Sequence, residues 1–337
     1  MADASSKSAV FTALICNCLL SVFKFVAFAF SGSGSMLSEA IHTLADAGNQ
    51  FLLFLGIKKS EQPANTKFHY GFGYERFLYA LMSAAGIFIL GCGVTVYHGA
   101  HSLYEHFVEH QHHELKIGWL DFAVLGLGFC MDGFVLLKAV QAVKAQKGNK
   151  GFFEFLRTSS DPTILAVLFE DSVACIGVVI ALIGIILSMV THSPVFDALG
   201  SICIGLLLGW VAIWLAMKNR ALLLGKSIPQ DVELQMIAWI QKQPTVEKVH
   251  AVQSRVVGAD IYKLKAEVDF NGAVLADALT GWVEEQQTKL TTPEARAAFT
   301  REFGEKLMQA HGAEINRIED SLRREFPQLK YIDLESD

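Results

Sequence analysis

The sequence predicts an α-helical membrane protein: six transmembrane helices followed by a C-terminal cytoplasmic α+β domain. Three observations predict it. The 337 residues are 52% hydrophobic and 18% charged, with a mean hydropathy of +0.36, whereas a soluble domain is about 25% charged. The charge is unevenly placed, since residues 224–337 hold 14 Lys+Arg and 19 Asp+Glu, more than half of the total in a third of the length. The apolar part also contains six stretches of about 20 residues, the length that crosses a bilayer as a helix. Two domains follow, a transmembrane region over 1–223 and a polar domain over 224–337.

The six spans run approximately over 9–30, 36–57, 77–99, 117–139, 164–189 and 196–217. The first is too long for a cleavable signal peptide and lacks a basic start and a small-residue cleavage pattern. Orientation comes from the loops, because Lys and Arg mark the cytoplasmic side. Lys58, Lys59, Lys67 and Arg76 lie between spans two and three, and Lys144, Lys147, Lys150 and Arg157 between spans four and five. Lys218, Arg220 and Lys226 follow the last span, and the opposite loops carry almost none. Both termini are therefore expected in the cytoplasm, as an even number of spans requires. No amphipathic, Arg-rich presequence precedes the first span, so a bacterial inner (plasma) membrane is the expected home.

In the polar domain Pro229 opens a helix with apolar Val232, Met236, Trp239 and Ile240, and a β-rich stretch follows at 246–257. Gly258 makes a turn. Beyond it Tyr262, Leu264, Ala266, Val268 and Phe270 alternate with charged residues, the pattern of a half-buried strand. Ile315, Ile318, Leu322 and Phe326 form a helical stripe before a short strand at 331–334, and a charge-rich, mostly helical insertion occupies 271–311.

The composition also excludes functions. A net charge of −6 is the wrong sign for neutralising phosphates, so no nucleic-acid partner is expected. All six cysteines lie in apolar stretches, which argues against a disulfide framework or a CxxC zinc site. Neither a GxxxxGK[ST] phosphate loop nor a nucleophile elbow is present, so neither an ATP-driven pump nor a hydrolase is indicated. No enzyme activity and no cofactor are expected.

Ionisable side chains at membrane depth cost about 2.5–3.5 kcal/mol each and mark function by default. The second span carries Glu39, His42 and Asp46 in SEAIHTLADAGNQ. His42 and Asp46, four apart, share one helical face, where an imidazole and a carboxylate can grip one divalent ion or hydrogen-bond to each other. The fifth span carries Glu170 and Asp171, whose side chains point about 100° apart, so one of them faces the cavity of His42 and Asp46. Three or four mixed N/O ligands, His42, Asp46, Asp171 and Glu170, suit a transition-metal ion, with zinc favoured where the geometry is tetrahedral. Lys24 of the first span either snorkels or pairs with Asp132 of the fourth.

The segments SMLSEAIHTLADAGNQ, HYGFGYER and EDSVACIG, with the α+β tail, resemble the cation diffusion facilitator family, and the last pattern resembles its zinc transporter 9-like branch. The resemblance spans essentially the whole chain. It implies a cation-efflux transmembrane domain, a ferredoxin- or metallochaperone-like tail that dimerises, and a membrane-embedded homodimer exchanging cytosolic zinc for protons. Two positions depart from the family: Val167 stands four before Asp171 where most zinc exporters carry histidine, and Lys265 stands where several relatives place a histidine in the tail. Glu170 is the candidate substitute for the first. His250 and His311 are expected to be surface or packing residues. His69 is a candidate accessory ligand, and so, as a loose capture tract, are His106, His110, His112 and His113, within a segment from His98 to His113 that holds six of the 11 histidines. Manganese, iron or cobalt as cargo, or a non-transporting metal-sensing adaptor, are the alternatives.

Overall fold

The computed structural model describes residues 2–31, 34–108, 119–148, 151–191 and 193–337. Two compact units divide the chain, Met1–Leu224 and Gly225–Asp337. The first contains α1 (Ala2–Ser31), α2 (Gly34–Ser60), α3 (Gly73–Gly86), α4 (Thr95–Phe107), α5 (Trp119–Lys147), α6 (Phe152–Thr158), α7 (Pro162–Thr191) and α8 (Val195–Leu223). Among the described residues five helices are long and apolar enough to cross a membrane. The second predicted span, α2, is 27 residues long, about 40 Å at 1.5 Å per residue, and it is the helix that carries the polar motif.

The third predicted span is longer than its hydropathy suggested. Gly73–Phe107 is one 35-residue helix in which a π-helical stretch, Ile87–Val94, joins α3 to α4. His98, His101 and His106 consequently sit on helix α4 rather than in an outer loop. Packing explains the extension, because α4 lies against α8 through glycines. A methyl group on Gly99 would meet the carbonyl oxygen of Ala198 at 2.8 Å, and one on Gly205 would meet Val96 Cγ2 at 2.6 Å. Small residues permit close helix approach in membranes. Gly99→Ala should therefore cost about 1–3 kcal/mol by overpacking, seen as a lowered thermal midpoint of the detergent-solubilised protein; an unchanged midpoint would show that the two helices can part at no cost.

The helices close a ring. α1 packs on α2 and α5, α5 on α7, α7 on α8, α8 on α3, and α3 on α2. Their shared core includes Val10, Leu53, Ile57, Ala80, Val143, Leu165, Val167 and Leu215. A buried polar network joins four of these helices. Arg76 of α3 donates from Nη2 to Asp161 Oδ2 at 3.0 Å and from Nε to Thr163 Oγ1 at 2.9 Å. Ser6 of α1 donates to the same Asp161 oxygen at 2.5 Å and accepts from Gln146 of α5 at 2.7 Å. Asp161 Oδ1 meanwhile accepts the Thr163 backbone N–H at 3.0 Å, capping α7 just before Pro162 at the helix start. Arg76, read in the sequence as a loop charge, is thus a buried ion-pair partner, with both side chains at most 4% exposed.

The second unit contains α9 (Gln230–Gln241), β1 (Val246–Gly258), β2 (Ile261–Phe270), α10 (Gly272–Asp277), α11 (Thr280–Gln286), α12 (Pro293–Glu325) and β3 (Leu329–Ser336). The sheet order is β1-β2-β3, with β2 antiparallel to β1 and parallel to β3. Alternation in β2 buries Tyr262, Leu264, Ala266 and Val268, and the helices add Met236 and Ile240 from α9 and Ile318 and Leu322 from α12. Thr292 caps α12 by accepting from the Ala295 N–H at 3.1 Å, with Pro293 at its first position. The helix then runs unbroken for 33 residues, so the charge-rich stretch and the apolar stripe share one rod.

Glu314 of α12 accepts from Arg317 Nε at 2.7 Å and from Thr245 Oγ1 at 2.6 Å. These bonds, the guanidinium's first, hold its carboxyl below the ordinary range. A depressed folded-state pKa stabilises above the unfolded value and loses that contribution as pH falls through the folded one. The stability difference between the parent and Glu314→Gln should thus be constant above about pH 5 and shrink below about pH 4, at most about 1 kcal/mol for so exposed a pair. Denaturation of both proteins across that range measures it, and a difference that persists undiminished at pH 3 would contradict the ion-pair origin.

Candidate metal centre

A cavity of about 170 Å3 opens inside the transmembrane unit. It is lined by Asn17, Leu20 and Lys24 of α1, His42, Thr43 and Asp46 of α2, Gly128 and Asp132 of α5, and Glu170, Val173, Ala174 and Gly177 of α7, with Ile204 and Leu208 of α8 closing one wall. The period of α2 sets the polar edge. His42, Asp46, Asn49 and Gln50 recur at spacings of three and four, so successive turns present them toward one side.

His42 Nε2 lies 3.8 Å from Asp46 Oδ2. That is too long for a hydrogen bond, which disfavours a pair that merely satisfies itself. It is close to the separation of roughly 3.3 Å that two ligands of one tetrahedral zinc adopt at bond lengths of about 2.0–2.1 Å. Their side chains are 41% and 32% exposed, open to the cavity, whereas Glu170 and Asp171 are buried at 7% and 4%.

Glu170 reaches the cavity and is held from the side. Gln50 Nε2 donates to Glu170 Oε2 at 2.5 Å and Asn49 Nδ2 to Oε1 at 3.4 Å. Each carboxylate oxygen therefore has an amide donor that fixes its direction while leaving a further lone pair. Asp171, one residue on, is outside the cavity lining. Among the described residues its buried Oδ2 has no hydrogen-bond partner. Val167 is fully buried in the apolar core and offers no ligand at its own turn of α7. Asp132 is the fourth polar wall that sequence reasoning treated only as a partner for Lys24; its position in an apolar span was the available signal. Asn49 and Gln50, which close the quoted motif, were missed because neutral amides attract no attention without their acceptor.

The accessory candidates that the structure describes, His69 and His106, do not line this cavity. His69 Nε2 is 3.0 Å from the Thr66 carbonyl oxygen in an exposed loop, and the His106 ring meets Phe107 edge-on at 5.1 Å. His110, His112 and His113 lie outside the described residues. Among the described residues, one group of three ligand atoms lies within 4.8 Å of one another: His250, Asp269 and Asp337 in the second unit. His250 Nε2 is 3.2 Å from Asp337 Oδ2 and 3.8 Å from Asp269 Oδ1. His250 is thus in an acidic cluster rather than standing alone on the surface. His311 packs edge-on against Phe270 at 4.8 Å, a packing role. Lys265 donates to Glu335 at 2.5 Å, and this bond raises the pKa of the ammonium.

A ring of membrane helices around a polar, carboxylate-lined cavity defines an integral membrane protein with the architecture of an ion carrier. Residues 10–224 match the cation efflux transmembrane domain, and the chain belongs to the cation efflux family. Over 336 residues it is 34% identical to the proton-coupled zinc antiporter SLC30A9, mitochondrial, of Mus musculus and equally to that of Homo sapiens, covering 97% of this chain and 58% of each relative. It is 31% identical over 344 residues to metal tolerance protein C4 of Arabidopsis thaliana, covering 99% of this chain and 74% of the relative. The chain thus spans a little over half the length of its mammalian relatives.

Proposed function

We propose that the protein is a secondary active exporter of divalent metal ions, zinc first among them, in exchange for protons. The observation that supports it most directly is the meeting of His42 and Asp46 with Glu170 in one cavity at membrane depth. Imidazole and carboxylate must shed protons to ligate a metal, so capture releases protons and reprotonation expels the ion. In this reading His42, Asp46 and Glu170 bind the cargo inside the cavity, Glu170 supplies the donor that Val167 does not, Asn49 and Gln50 orient Glu170, and Asp171, the third ligand expected from the sequence, stands behind the lining. Helices rock so that the site faces alternately inward and outward. The names of the mammalian relatives, proton-coupled zinc antiporters, support both cargo and coupling.

The working unit is a homodimer held by the second unit. Both termini lie on the side where loop Lys and Arg concentrate, the cytoplasmic face of a bacterial inner membrane. The chain makes and breaks no covalent bonds. A second reading, manganese, iron or cobalt as cargo, is favoured by the donor set: one imidazole among several carboxylates suits harder ions than a site with two imidazoles.

Flux into proteoliposomes tests the proposal. Acid-loaded vesicles should accumulate zinc above equilibrium, and an ionophore that collapses the proton gradient should abolish the excess. Undiminished uphill uptake would remove the antiport claim. Running manganese, iron and cobalt in parallel ranks the cargo.

A further inference from the structure

The cavity holds one basic side chain that a cation carrier has no evident reason to keep. Lys24 of α1 is 7% exposed and lines the same space as His42, Asp46, Asp132 and Glu170. Its Nζ donates to Thr43 Oγ1 at 2.7 Å, the residue between His42 and the rest of the α2 ligand face. The ammonium is therefore not snorkelling to the interface. It is anchored within the cavity, where α2, α5 and α7 each present a carboxylate.

We propose that Lys24 is a tethered competing cation: its ammonium partly balances the cavity's carboxylates when no metal is bound and sets the metal affinity below that of the bare ligand set. This inference rests on the transport reading above. Carboxylates left without a counter-charge at membrane depth are costly, and a fixed positive charge inside the cavity repels an arriving divalent ion in a weakly screened space. A carrier must release what it binds, and a built-in cation lowers the barrier to release at the expense of affinity. Thr43 holds the charge next to His42 on α2.

The sign of the effect separates this role from a structural one. Damage to a site weakens binding, whereas removal of a competing cation tightens it. Zinc titration by calorimetry on the purified full chain should give a Kd for Lys24→Gln about tenfold lower than the parent's, and Lys24→Arg should stay within about threefold. Asp132→Asn should bind about tenfold more weakly than the parent. Lys24→Gln/Asp132→Asn, in which neither charge is left alone, should bind about tenfold more tightly than Asp132→Asn, and this comparison serves if Lys24→Gln alone fails to fold. An unchanged or higher Kd in both comparisons overturns the proposal while leaving the transport site standing. A parent that binds no zinc, manganese, iron or cobalt overturns the transport reading itself and this inference with it.

Discussion

Arg76→Met should destabilise the protein by about 3–5 kcal/mol, the cost of leaving one member of a buried ion pair uncompensated. The partner left behind is Asp161, which among the described residues would keep only Ser6 and the Thr163 backbone as donors. Its carboxylate would then be a buried charge with no counter-charge within reach of a hydrogen bond. Because the network joins α1, α3, α5 and α7, the loss would loosen the ring that encloses the cavity as well as one contact. Thermal denaturation in detergent measures the effect. Arg76→Met/Asp161→Asn should recover much of it, since removing both charges abolishes the desolvation problem. A double variant as unstable as the single would show that the arginine acts through packing of its stem rather than through charge.

His42→Ala and Asp46→Ala should each reduce metal transport by more than about 100-fold. Loss of a residue that only orients a ligand already costs about 10–100-fold in affinity or activity, and loss of the ligand itself should exceed that. Gln50→Leu supplies the comparison, because it removes the 2.5 Å donor to Glu170 without removing any ligand, and should fall within the 10–100-fold range. Flux in proteoliposomes, with the folded fraction checked by size-exclusion chromatography, reads all three. Parent-like flux in His42→Ala and Asp46→Ala would end the assignment of the site to α2. Flux that recovers at high metal concentration would mark a loss of affinity rather than of the translocation step.

The helical membrane region, its spans and the mixed tail were legible because each rests on a periodicity or a length. Twenty apolar residues span a bilayer whatever their neighbours, and the alternation of Tyr262, Leu264, Ala266 and Val268 fixes a strand face by itself. The α2 motif was legible for a related reason, since a helix places residues four apart on one side before any tertiary contact forms. Less was visible at the end of the third span. Hydropathy drops near Gly99, yet the helix continues to Phe107 because α8 receives its glycine face.

Arg76 illustrates the other limit. Its position beside Lys67 in a basic loop made it a marker of orientation, and no local pattern links it to Asp161, 85 residues away. Glu170 and Asp171 are similar. A helical wheel says that they diverge but not which one meets α2; the amides of Asn49 and Gln50 turn toward Glu170, and that choice depends on the packing of α2 and α7 around the ring.

The sequence by itself thus determined which segments form long helices in the first unit, which elements build the tail, and that His42 and Asp46 share a face. Those properties follow from local spacing and the cost of exposing apolar or polar groups to the wrong solvent. Tertiary structure alone decided that Lys24 and Asp132 line the same cavity as His42 and Asp46, that Glu170 is held by amides, and that Arg76 is buried. Each of these is a long-range pairing of polar groups, and a buried charge is tolerated only where folding has already brought its partner.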